Sequence, residues 1–255
     1  MGKMINISDP SNSLEWVIFL GQKYSGMFWQ GTVLTLYIAV AGTILGFILG
    51  YLAGMVQDMK IRKEDHAVKK ALLKILKIIF TVYVEIFRGT PMIVQAMIVY
   101  YGLRQSGVEL SSVTAGVLVT LLNTGAYMAE TVRAGINSVD EGQREGALAM
   151  GMSPMKTMFY IILPQAFRNI LPEMANTFLS NLKMTSVLNV IAVQELFMAA
   201  KTAGGNYYKY YEAYLVIAVI YFVLCFVFSR IFLLIEKKMN GRKDYVLAVE
   251  YMEAQ

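Results

Sequence analysis

Between Gly31 and Met55 the chain carries no charged residue and is rich in glycine, an apolar run long enough to cross a bilayer. A hydrocarbon core takes about 20 such residues as a helix, because lipid offers the backbone no hydrogen bonds and only a helix or a closed barrel satisfies it internally. Four less uniform stretches follow at about Ile75 to Tyr101, Val113 to Met128, Met174 to Met198 and Tyr214 to Ile235. The third is short by this rule and reaches membrane length if it continues through Glu130 toward Ala134 with its polar residues facing protein or water. With 56% hydrophobic residues and a mean hydropathy of +0.50, an all-α integral membrane protein of about five transmembrane helices is the expected fold class.

A net charge of +5 invites a nucleic-acid reading, but the placement of the basic residues points to membrane topology instead. Sixteen fall between the first and second stretches, between the third and fourth, or at and beyond the end of the fifth, against five on the alternate side. By the positive-inside rule the amino terminus is outside and the carboxyl terminus cytoplasmic. The chain then divides into an extracellular or interfacial segment 1–30, a transmembrane domain 31–239 and a cytoplasmic tail 240–255. No apolar core with a small-residue cleavage site follows the early Lys3, so a cleavable signal peptide is not expected. Residues 14–29 instead read as an interfacial helix, with Trp16, Phe19, Tyr24, Phe28 and Trp29 at headgroup level. The single cysteine, Cys225, reads as packing, and His66 has no cysteine or histidine cluster around it to make a metal site.

Away from the ends of the apolar runs, the third taken with its continuation, the charges that stand out are Glu85, Arg88, Glu130 and Lys183. Each is unfavourable there by about 2.5 to 3.5 kcal/mol on insertion scales and should pair, face a cavity or snorkel. Glu85 and Arg88 are three apart and can pair on one helix face; Lys183 can serve as counter-ion to Glu130 or Glu85. Gly89 and Pro91 weaken the same helix, predicting a kink whose freed carbonyls must be met by protein or by water in a cavity.

Residues 138–164, SVDEGQREGALAMGMSPMKTMFYIILP, are a polar, helix-forming insertion on the side assigned to the cytoplasm. Ser138 followed by Glu141 reads as a capping box, Gly151 as a stop that adopts positive φ, and Ser153-Pro154 as the start of a second helix. Small residues Gly146, Ala147 and Ala149 beside Glu145 make a knob that another protein's backbone can approach closely.

Glu145-Gly146-Ala147, Gly151, Ile161 and Leu163-Pro164 keep the spacing E-A-A, three residues, G, nine residues, I-x-L-P, which resembles the EAA loop of ABC importer permeases. Tyr83 to Gln95, YVEIFRGTPMIVQ, resembles the second-span signature of the polar amino acid permeases, and residues 123–136, 163–188 and 210–239 extend the likeness. One departure is Met184, where the family usually has aspartate or asparagine after the lysine.

The resemblance implies a type I ABC importer permease fold and a permease subunit that moves a polar amino acid across the cytoplasmic membrane by alternating access. It implies two ABC ATPase subunits, a second permease subunit, identical or related, and an extracellular amino-acid-binding protein. ATP and Mg would sit on the ATPase, since the chain has no G-x-x-x-x-G-K-[ST] loop. Glu145, Gly146, Ala147, Ala149, Met150 and Gly151 would form the ATPase-coupling surface. Glu85, Arg88, Asn123, Glu130, Lys183, Thr185 and Ser186 are candidates to line the substrate pathway. From the residues alone, an ion-coupled carrier with Glu85 and Glu130 as proton sites stays open, as does a non-transport membrane scaffold.

Overall fold

The computed structural model describes residues 10–59, 61 and 66–239, and within them the chain is helical, with no strand. In order come α1 Ser13–Lys23, α2 Ser25–Asp58, α3 Ala67–Gly89, α4 Met92–Gln105, α5 Ser112–Asn137, α6 Glu141–Ala149 and α7 Pro154–Thr157. A π-helical turn over Met158–Ile162 leads into α8 Leu163–Met184, and a 3-10 segment Thr185–Ile191 leads into α9 Leu196–Gly205 and α10 Tyr210–Met239. The proposed tail, and the basic residues Lys3, Lys60, Arg62, Lys63, Arg242 and Lys243, lie outside the described residues.

The long charge-free run forms α2, which packs along α5 as the centre of the bundle. Gly42, Gly46, Gly50 and Gly54 recur every fourth residue, which puts them on one helix face. A Cβ at Gly42 would come 2.5 Å from Thr120 Cγ2, one at Gly46 2.6 Å from Thr124 Cβ, one at Gly50 2.5 Å from Met128 Cβ, and one at Gly54 2.7 Å from the Ala129 carbonyl. The stripe lets the two backbones approach closely, which matters in a medium where lipid competes with side chains for apolar contact. Beside it, Asn181 of α8 donates through Nδ2 to Thr43 and Thr124 Oγ1, both at 2.8 Å, tying three helices at a buried node.

Among the described residues three helices, α2, α5 and α10, are long and apolar enough to span a membrane, or four if the pair bent by 55° between Ile191 and Leu196 is one span. Two of the five expected stretches are interrupted. The stretch 75–101 is divided between α3 and α4 at Gly89-Thr90-Pro91, where proline ends the hydrogen-bond ladder. The stretch 174–198 tightens into the 3-10 segment and breaks at Ala192, which has φ 60°. There Glu195 caps α9, its carboxylate accepting from the amides of Met198 at 2.8 Å and Phe197 at 2.9 Å. The third stretch does run unbroken through Glu130 and Ala134 to Asn137.

The expected interfacial helix is shorter than residues 14–29. It stops at Lys23, and Phe28 is a buried residue of α2. Asn12 caps α1 by accepting from the Glu15 amide at 2.9 Å, while Ser11 donates its amide to Glu15 at 2.7 Å, a reciprocal cap. Trp16, Phe19 and Tyr24 then pack around Tyr207, Lys23 donates to the Tyr207 hydroxyl, and Asn206 donates to the Tyr24 hydroxyl at 2.9 Å. Helix α10 buries only Glu212, Ala213 and Ile217, and leaves Phe222, Phe226 and Leu234 outward as an apolar surface. Cys225 is half-buried against the Ala39, Phe178 and Leu182 cluster, a packing role.

Candidate functional site

The insertion folds as helix, hinge, helix, with one change at its start. Ser138 is not the N-cap; it closes α5, donating through Oγ to the Gly135 carbonyl at 2.8 Å, and Asp140 caps α6 by accepting from the Gly142 amide at 2.7 Å. Asp140 wins because the chain is still helical at Ser138, whose ψ is −10°, whereas a cap needs extended backbone. Gly151 has φ +83°, and its amide donates to the Leu148 carbonyl at 3.0 Å, closing the helix end. Ser153 then accepts from the Lys156 amide with Pro154 in the first turn. The path continues through the π turn, which falls just before Pro164, whose missing N–H is one reason the helix widens there.

Of the coupling candidates, Ala147 is buried and packs α6 inward, while Glu145, Gly146, Ala149, Met150 and Gly151 face outward. Met150 is 78% exposed, with Leu148 and Met155 beside it among the exposed apolar residues. Nothing lies within 4 Å of a Cβ built on Gly146 or Gly151. The result is a small outward knob with one carboxylate and a methionine rim.

Pathway candidates separate into two groups. Arg88 turns to Glu130 at 3.4 Å rather than to Glu85, and Arg133 pairs with the other oxygen of the same carboxylate. Glu85 and Glu130 line one open cleft of about 260 Å³ with Gln57, Lys77, Thr81 and Arg133. Lys183 is counter-ion to neither; it is exposed on α8, and Glu130 is already held by two arginines. Thr185 is fully buried, donating to the Leu182 carbonyl at 2.9 Å, so it belongs to the core rather than to a lining. Ser186 donates to the Lys183 carbonyl at 2.7 Å.

The break at Gly89-Thr90-Pro91 is sealed by protein. Gln95 Nε2 donates to the carbonyls of Phe87 at 2.8 Å and Thr90 at 2.9 Å, and to Thr90 Oγ1 at 2.9 Å. Asn123 Nδ2 reaches Gln95 Oε1 at 3.1 Å from α5. Gln95, passed over in the sequence, is thus the residue that lets α3 end and α4 begin; the signal was a buried amide four residues after the proline. Gln95→Leu is expected to leave the Thr90 carbonyl unpaired, and the Phe87 carbonyl with only its longer 3.5 Å bond from Asn123, at about 1–3 kcal/mol for each group left unmet where no water enters. The unfolding midpoint in detergent should drop by several degrees, at roughly 2–4 °C per kcal/mol. An unchanged midpoint would mean the break is held some other way.

A family model described as the binding-protein-dependent transport system inner membrane component matches residues 70–241. The chain belongs to this family. The match begins in α3 and runs to the end of α10, so it takes in the broken span, the Glu130 cluster and all of α6. As a member, the chain is a multi-pass inner-membrane component of an ABC transport system, and permease subunits of this kind are not themselves enzymes.

Among its relatives, the probable amino-acid permease protein YxeN of Bacillus subtilis strain 168 is 34% identical over 232 residues, covering 90% of this chain and 97% of the relative. The L-cystine transport system permease protein TcyB of the same organism is 36% identical over 214 residues, covering 84% and 88%. The crystal structure of an amino acid ABC transporter with histidines superposes with a TM-score of 0.77 at 34% identity, over 90% of this chain and 100% of that one. The inward-facing MetNI methionine ABC transporter, at 17% identity and a TM-score of 0.67, shares the fold. These likenesses favour the ABC importer reading over an ion-coupled carrier.

Proposed function

We propose that this permease is the membrane subunit of an ATP-driven importer of a polar amino acid. It works as a pair of permease subunits with two cytoplasmic ABC ATPases, which hold ATP and Mg, and an extracellular amino-acid-binding protein. The observation that carries the coupling half of this reading is the outward knob of α6: Glu145, Gly146, Ala149 and Met150 displayed around a positive-φ glycine, with Ala147 anchoring it inward. In this reading the amino terminus is outside, the segment 1–30 lies at the outer face, and α6 is the coupling helix in the cytoplasm.

Closure of the two ATPases on ATP would move the docked α6 helices as rigid bodies and bias the bundle between two packings. The cleft lined by Glu85, Glu130, Lys77 and Arg133, with Arg88 paired to Glu130, presents both carboxylates and cations, the chemistry an amino-acid zwitterion requires. Asn123 does not line it and is engaged with Gln95. The amino-acid class rests on kinship with permeases named for amino acids.

Purification of a tagged permease in mild detergent from its host tests the reading. An ATP-binding subunit is expected to come down at one per permease. Its repeated absence from intact, folded permease would sink the proposal.

A further inference from the structure

Asp58 is the last residue of α2, where the unpaired carbonyls of the helix end already concentrate negative charge. Its side chain is 11% exposed, and Oδ2 has no hydrogen-bond partner among the described residues. An acid in that place is unfavourable unless a cation meets it. The cation comes from α6: Arg144 Nη2 lies 3.7 Å from Asp58 Oδ2, and its Nε lies 3.8 Å from Glu141 Oε2 one turn earlier.

Arg144 is 21% exposed, and its stem lines a cavity of about 50 Å³ between α6 and the next segment, with Leu148, Pro154, Thr157 and Met158. It is therefore committed inward while its neighbour Glu145 faces out. The helix otherwise rests on α7 and the π turn. The pair is thus a side-chain tie running directly from α6 to α2, the helix locked along α5 by the glycine stripe.

We propose that Arg144–Asp58 is a positioning strut that passes displacement of α6 straight to the α2–α5 pair, in parallel with the covalent route through α7 and α8. This rests on the docking of α6 proposed above. A helix of nine residues joined to its neighbours by a glycine hinge on one side and a short turn on the other can swivel without moving the bundle. A largely sheltered ion pair to α2 removes that slack, because separating the charges leaves the Asp58 carboxylate desolvated with no other cation among the described residues to meet it.

The test uses the full complex in proteoliposomes with its binding protein, comparing wild type, Asp58→Asn, Arg144→Gln and the exchange Asp58→Arg with Arg144→Asp. Three readouts are taken: ATPase retained per permease, ATP hydrolysis, and uptake of a radiolabelled amino-acid mixture per ATP hydrolysed. Both single variants are expected to retain the ATPase and hydrolyse ATP while uptake per ATP falls about tenfold, within the usual range of coupling between sites, and the exchange to recover most of it. Unchanged uptake per ATP in the single variants, or a folded exchange variant as uncoupled as they are, would overturn the strut. Loss of the ATPase from the single variants alone would also overturn it, making the pair a docking element. A wild-type permease that never holds the ATPase would overturn the docking reading itself, and retention is measured before uptake. Should the single variants not fold, the exchange decides alone, since it keeps both charges as a pair.

Discussion

Replacing Gly50 with alanine is expected to lower the unfolding midpoint of the permease by roughly 5–10 °C, for a net loss of a few kcal/mol at about 2–4 °C each. Two terms oppose one another. Alanine in place of a mid-helix glycine gains about 1 kcal/mol of helix propensity. Against this, the added Cβ would sit 2.5 Å from Met128 Cβ, 2.8 Å from the Gly125 carbonyl oxygen and 3.0 Å from the Ala129 amide nitrogen. Two of these three neighbours are backbone of α5 and cannot rotate away, so the helices must part along the glycine-lined face of α2. Overpacking of this kind costs about 1–3 kcal/mol, and more where backbone has to shift. Gly146→Ala is the matched control, since its Cβ meets nothing within 4 Å, and it should be neutral or slightly stabilising. Thermal unfolding of both variants in the same detergent checks the pair. A Gly50 variant as stable as the Gly146 variant would mean that α2 and α5 are not held as closely as the stripe requires.

The identity of α2 as a span was legible because a charge-free run of its length admits few alternatives in lipid. So was the stop at Gly151, since only a positive φ explains a glycine between two helical periods. The partner of α2 was not legible: the four-residue glycine period was visible, but nothing in it names the face of α5 that fills it. The same limit explains the charges. Glu85 and Arg88 satisfy the local spacing rule, yet Arg88 prefers Glu130 on another helix, a tertiary choice that sequence distance cannot convey. Lys183 and Thr185 stand together among the candidates that the resemblance implies, and the fold makes one exposed and the other fully buried. The pairing of Arg144 on α6 with Asp58 at the end of α2 is likewise tertiary, and no local spacing rule points to it.

Gly151→Asp is expected to abolish ATPase retention and uptake together, while Gly151→Asn stays close to wild type. At φ +83° an L-residue with a Cβ is strained by about 1–2 kcal/mol, and asparagine and aspartate tolerate this region better than most. Since no atom lies within 4 Å of the added Cβ, the bundle itself offers no clash, and the backbone cost alone would lower the docking-competent population about tenfold per 1.4 kcal/mol. Asparagine and aspartate share shape and backbone preference, so the difference between them isolates charge. Under the docking reading that charge would be buried beside Met150 against the ATPase, and no side chain of the described residues lies within 4 Å of the added Cβ. An unpaired buried charge costs several kcal/mol, about a hundredfold or more in affinity. Gly151→Ala should fall between the two, losing about tenfold through the backbone alone. The checks are co-purification of the ATPase and uptake in proteoliposomes for all three variants. Were aspartate and asparagine equally tolerated, the hinge would face water rather than a partner, and the knob around Glu145 would need another occupant.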